Sequence, residues 1–128
     1  MKTVREVMST TLVTVKPTAM MIEAARAMSE AGVGSALVVE GDSLVGIFTE
    51  RDILRAFEQM HADPARVAPV SKGMSRDPET IDPGASVGTA MDLMLERGFR
   101  HLPVTERGSL VGVVSMRDLA RSIAKRRR

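Results

Sequence analysis

The chain has 128 residues, 44% hydrophobic and 27% charged, with no cysteine and a formal net charge of +2. This is about one domain's length with ordinary globular composition, and it excludes disulfides, thiolate metal sites and a cysteine nucleophile. The last four residues, Lys125 to Arg128, carry four positive charges, so the body stands at 2 − 4 = −2 and is not the basic body of a nucleic-acid binder.

In chain order, the start MKTVREVMST has no secretory apolar core, and no apolar run nears the ~20 residues of a membrane span. A soluble, cytoplasmic protein without membrane contact is expected. Residues 12–15 (LVTV) read as a short β run, and Pro17 stands where a helix can begin. Met21, Ala24, Ala25 and Met28 follow at i, i+3, i+4 and i+7, one apolar helix face that Gly32 terminates. SALVV (35–39) and LVGIFT (44–49) read as two strands joined by a turn at EGD. ERDILRAFEQM (50–60) reads as a helix, and HADPARVAPVSKG (61–73) as a linker.

The same order then returns. ETI (79–81), Pro83, the stripe Val87, Ala90, Met91 and Met94, Gly98, the strands HLPVT (101–105) and LVGVVS (110–115), and the helix MRDLARSIAKR (116–126) repeat it. The offset is 74 − 8 = 66, from Met8-Ser9 to Met74-Ser75. It also pairs Thr14 with Thr80, Gly46 with Gly112, and Arg51-Asp52 with Arg117-Asp118, without a gap from 8 to 55. The fold class is α+β, two β-α-β-β-α repeats. The expected division is 1–60 first repeat, 61–73 linker, 74–124 second repeat and 125–128 basic tail. One repeat of about 60 residues is marginal alone, so the two are expected to share one core about a pseudo-twofold axis, as one module.

The repeated phrases GIFTERD (46–52) and GVVSMRD (112–118) carry the chemistry. One reading is a capping box, with Thr49 or Ser115 at the N-cap and Asp52 or Asp118 reaching back. The other is a ligand corner. A helix N-terminus favours phosphate, a hydroxyl can donate to it, and a carboxylate can accept from a ribose diol. Gly46 and Gly112 would then let a ligand approach the strand closely.

The segments VMSTTLVTVKP, EAGVGSALVVEGDSLVGIFTERDILRA, GMSRDPETIDP and ERGFRHLPVTERGSLVGVVSMRDLAR resemble tandem CBS-domain proteins (Bateman modules) over nearly the whole chain. The resemblance implies a stand-alone regulatory CBS-domain pair that binds adenine nucleotides or adenosyl ligands in inter-repeat clefts. AMP and ATP lead the candidates, with ADP, NAD, S-adenosylmethionine and cyclic dinucleotides behind them. It assigns Asp52 and Asp118 to ribose, with Thr49 and Ser115 beside them. Thr10, Thr11, Leu12 and Val13, and Arg76, Asp77, Pro78 and Glu79, supply backbone contacts to adenine. Arg100 and His101, ahead of Pro103, reach phosphate and converge with Asp52 and Thr49. Gly34 and Ser35 fall with Asp118 and Ser115, so the Asp52 cleft should bind a charged nucleotide better. Arg51 and Arg117 reach phosphates, a neighbouring subunit or surface carboxylates.

Two histidines, His61 and His101, and no nucleophile elbow or helix-borne metal pair leave nothing with which to assemble an enzyme, and neither a catalytic cofactor nor a metal is expected. Ala-rich helix faces and Ile53, Leu54, Phe57 and Ile123 suggest a homodimer, which would modulate an effector protein that the sequence does not identify. The alternative is a protein- or nucleic-acid-binding scaffold without a working nucleotide site, whose nucleic-acid contact would come through the basic tail alone.

Overall fold

The computed structural model describes residues 2–59 and 68–126. Most of the expected linker, and the end of the basic tail, lie outside the described residues. The chain forms two compact units, Thr11–Pro78 and, discontinuously, Met1–Thr10 with Glu79–Arg128.

In the continuous unit, β1 (Thr14–Val15) leads to α2 (Met21–Ala31), β2 (Ser35–Glu40), β3 (Ser43–Thr49) and α3 (Glu50–Gln59). A single 3₁₀ turn (Val70–Lys72) and β4 (Ser75–Arg76) complete it. The sheet order is β1-β2-β3-β4, with β1 parallel to β2 and the other neighbours antiparallel. The discontinuous unit holds α1 (Val4–Val7), α4 (Val87–Arg97), β5 (His101–Glu106), β6 (Ser109–Ser115) and α5 (Met116–Arg126). Its β5-β6 ladder is flanked by a parallel bridge, Ile81 to Val104, and an antiparallel one, Ser9 to Val113. These stand 66 residues from β1 and β4, so the second sheet repeats the first with thinner edges. Even the irregularity recurs, between Val38 and Val39 and between Val104 and Thr105.

Local chemistry sets the element ends. Gly32 and Gly98 close α2 and α4 at φ +68° and +72°, left-handed conformations that cost glycine no Cβ clash. Ser86 caps α4 by accepting the Thr89 N–H at 3.0 Å. At the start of α2 stands Met20, whose side chain has no capping oxygen, and Glu23 reaches back to its N–H at 3.0 Å. Both helices begin four residues after the prolines, at Met21 and Val87, rather than at Pro17 and Pro83. The Pro17 and Pro83 carbonyls instead accept from Ser71 and Arg5.

The helix stripes are buried as expected at Met21, Ala24, Met28, Ala90 and Met94, with Ala25, Val87 and Met91 half-buried. Most of the buried apolar side chains gather in two clusters, one within each unit. Met21, Ala24, Met28, Ala36, Val38, Phe48, Ala56, Ala68 and Val70 make one. Val4, Ile81, Ala90, Met94, Leu102, Val104, Val114 and Leu119 make the other. Ile53 is half-buried and packs against its own unit's cluster, whereas Leu54, Phe57 and Ile123 are exposed.

Candidate functional site

The two Gly-x-x-hydroxyl phrases each end a central strand and start a helix. At the first, the Thr49 N–H donates to Asp52 Oδ2 at 2.9 Å and the Thr49 hydroxyl donates to the same oxygen at 3.2 Å. Asp52 is 5% exposed, and Arg55 Nη1 stands 3.8 Å from its Oδ1. At the second, the Ser115 N–H donates to Asp118 Oδ2 at 2.8 Å, and Ser115 Oγ accepts the Asp118 N–H at 3.1 Å. The capping box is complete at Ser115, whereas at Thr49 only its carboxylate half is made, with Asp52 reaching back and the hydroxyl donating to it. The hydroxyls differ in what remains. Thr49 spends its proton on Asp52, whereas Ser115 spends a lone pair on the helix and keeps its proton for another acceptor. Each carboxylate also sits in the first helical turn, where negative charge is favoured.

The glycines have another role than the one expected. A Cβ on Gly46 would stand 2.5 Å from Met74 Sδ and 3.0 Å from the Ser75 carbonyl. On Gly112 it would stand 2.6 Å from Met8 Sδ and 3.0 Å from the Ser9 carbonyl. The close approach over each strand is made by the chain's own Met-Ser pair, not by space for a ligand. Sequence reasoning counted Met8-Ser9, Met74-Ser75, Gly46 and Gly112 as repeats but did not pair them. Their common recurrence at offset 66 was the available signal.

The remaining residues fall as follows. Ser35 lies opposite Thr49 in the β2-β3 ladder and is buried, and the Gly34 carbonyl accepts the Glu50 N–H at 3.3 Å. Equivalently, His101 lies opposite Ser115, and the Arg100 carbonyl accepts the Met116 N–H at 2.9 Å. Within each unit, then, the loop pair stands at that unit's own corner: Gly34-Ser35 with Thr49 and Asp52, Arg100-His101 with Ser115 and Asp118. Pro103 is buried in β5, and its carbonyl accepts from Ile81. Arg51, Arg100 and Arg117 are exposed, and His101 is half-buried. Thr10, Thr11 and Asp77 are exposed, and Leu12, Val13, Pro78 and Glu79 half-buried. No helix among the described residues is long and apolar enough to cross a membrane.

The profile of the CBS domain matches residues 4–59 and again 67–125. The chain belongs to the CBS-domain family. Each match opens with the short arm, 4–10 or 68–76, that completes the other repeat's unit in the fold. The CBS domain-containing protein YhcV of Bacillus subtilis is 36% identical over 94% of this chain and 84% of its own length. A solved CBS-domain protein of Burkholderia ambifaria superposes at TM-score 0.91 with 32% identity, over 99% of this chain and 97% of that one. CBSX2, a CBS-pair protein of Arabidopsis thaliana solved in complex with AMP, superposes at 0.82 with 25% identity over the full length of both chains.

Proposed function

We propose that this CBS pair is a regulatory sensor module that binds an adenosyl ligand, with AMP the leading candidate, and performs no catalysis. The observation that carries the reading is the doubled corner. In each unit a carboxylate is fixed through one oxygen to the strand-to-helix turn, at the helix end that favours phosphate. A fixed carboxylate is what a ribose diol needs as acceptor. The likeness to CBSX2, solved with AMP, supports adenine nucleotide as the ligand class. Asp52 and Asp118 take ribose, Arg100 and His101 serve phosphate, and segments 10–13 and 76–79 meet the base. Arginine's forked, permanent charge suits phosphate, so Arg100 is the main phosphate contact.

Thermal melting against AMP, ADP, ATP, NAD and S-adenosylmethionine tests the reading. A ligand at a hundred times its Kd adds about 2.7 kcal/mol to folding stability. AMP should raise the melting temperature with concentration, and Asp52→Ala and Asp118→Ala should each reduce that rise. A flat response to the whole panel overturns the sensor reading. Turnover of ATP or NAD above a buffer blank, lost with Asp52→Ala or Asp118→Ala, overturns the non-catalytic part.

The exposed Leu54 and Phe57 of α3 and Ile123 of α5 support association of two copies. Sedimentation should show a dimer that Leu54→Glu with Phe57→Glu converts to monomer. A wild-type monomer at all concentrations would remove this face from the proposal.

A further inference from the structure

We propose that Arg97 is a positioning residue that holds the second base-contacting segment, 76–79, in one backbone shape. The proposal rests on the adenosyl-binding reading above. The segment is anchored at both ends. Arg76 pairs with Gly46, and the Asp77 N–H donates to the Val45 carbonyl at 3.1 Å. Downstream, the Ile81 N–H donates to Pro103 and its carbonyl accepts from Thr105, both at 3.0 Å. Two features act in the stretch these anchors bound. Asp77 has φ +46°, a left-handed turn that few residues other than glycine adopt, aspartate being among the better tolerated. Glu79 Oε1 stands 2.8 Å from Arg97 Nη1, at the last residue of α4.

The first repeat has neither feature. At the matching positions stand Thr11, outside the left-handed region, and Val13 and Ala31, which carry no charge. The ion pair was not legible as a repeat because it is where the repeats differ. A segment already held in one shape loses less conformational freedom when a ligand binds it. The Arg97–Glu79 pair is therefore a restraint that preorganises 76–79 and has no counterpart at Val13 and Ala31.

The pair is partly exposed, 56% at Arg97 and 35% at Glu79, so its contribution to global stability is small. Its effect belongs in local order and in ligand affinity, at about two- to fivefold. The test titrates AMP into wild type, Arg97→Ala, Arg97→Lys and Glu79→Gln, and follows amide exchange at Glu79 and Thr80 without ligand. Arg97→Ala and Glu79→Gln should speed that exchange and weaken AMP two- to fivefold, with the melting temperature of the free protein held. Arg97→Lys should restore most of both, and the difference between wild type and Arg97→Ala should shrink near 1 M salt as the pair is screened. If wild type binds AMP and both charge-removing variants match it in exchange and affinity, Arg97 does not position the segment. If wild type binds no AMP while exchange still responds, the nucleotide reading fails and the restraint is upheld.

Discussion

At the scale of single residues, Asp52 serves two chemistries that a conservative change can separate. Asparagine keeps an amide oxygen to accept the Thr49 N–H, so Asp52→Asn should hold the cap. It loses the negative charge and the second acceptor that a ribose diol would use. Asp52→Ala loses both, and should cost about 1 kcal/mol of folding stability. AMP titration beside denaturant melts checks this: Asn should cost binding with little stability, Ala should cost both. If Asp52→Asn binds AMP as wild type does, the carboxylate is a cap and nothing more. Gly46 makes a second case. Its Cβ would collide with Met74 Sδ and the Ser75 carbonyl, so Gly46→Ala and Gly112→Ala should each cost about 1–3 kcal/mol. The sequence showed that these glycines matter, because both recur beside a hydroxyl and a carboxylate. It could not show why, because the occupant of the space above each glycine lies 28 residues ahead in one case and 104 behind in the other.

At the scale of elements, most of the order was legible because each helix stripe and each strand pair repeats with its own period. The helix starts were not. Proline permits a helix start but does not impose one, and here the turn after Pro17 and Pro83 is used to receive N–H groups from Ser71 and Arg5. The cap that does start α4 is Ser86, and Ser86→Ala should cost about 1 kcal/mol in a denaturant melt. The four-residue α1 escaped the reading altogether, being too short for a hydrophobic period. Its Thr3-Glu6 box is half made: the Thr3 N–H and hydroxyl donate to Glu6 Oε1 at 3.0 and 3.2 Å, while the Glu6 N–H goes to the Thr3 carbonyl at 3.1 Å. The Thr3 N–H and hydroxyl hold the Glu6 carboxyl below its ordinary value. A lowered folded pKa means that the charged form is the one folding favours. The contribution is thus present above the unfolded carboxylate pKa and lost as pH falls through the lowered value. A carboxyl-carbon NMR titration should place Glu6 below an ordinary glutamate, and Thr3→Ala, which removes the hydroxyl but keeps the N–H, should move it only part of the way back up.

At the scale of the whole molecule, the sequence repeats and the folded units are two different partitions. Residues 68–76 lead into and open the second repeat but complete the first repeat's sheet and core, through Ala68, Val70 and β4. Residues 2–10 open the first repeat but complete the second's unit, through Val4, Val7 and Met8, the Ser9 bridge, and an Arg5–Glu106 ion pair at 2.7 Å. The correspondence is close: Lys2 accepts from Val87 as Ala68 accepts from Met21. A repeat of about 60 residues looked too small to bury its own apolar face, but each unit receives an arm that the β-α-β-β-α count omits. Offset alone cannot say which unit an arm joins, since either assignment preserves the 66-residue spacing. Paired substitutions can. Val4 and Val70 are both fully buried and equivalent by offset, so Val4→Ala and Val70→Ala should cost similar amounts, about 2 kcal/mol. Their local consequences should be opposite. Val4→Ala should speed amide exchange in the 101–115 hairpin, distant in sequence, and spare the 35–49 hairpin that follows the arm. Val70→Ala should do the reverse, loosening 35–49 and sparing 101–115. Exchange followed by mass spectrometry at peptide resolution reads both hairpins at once, and loosening of the hairpin next downstream of each arm would show that the arms complete their own repeats after all.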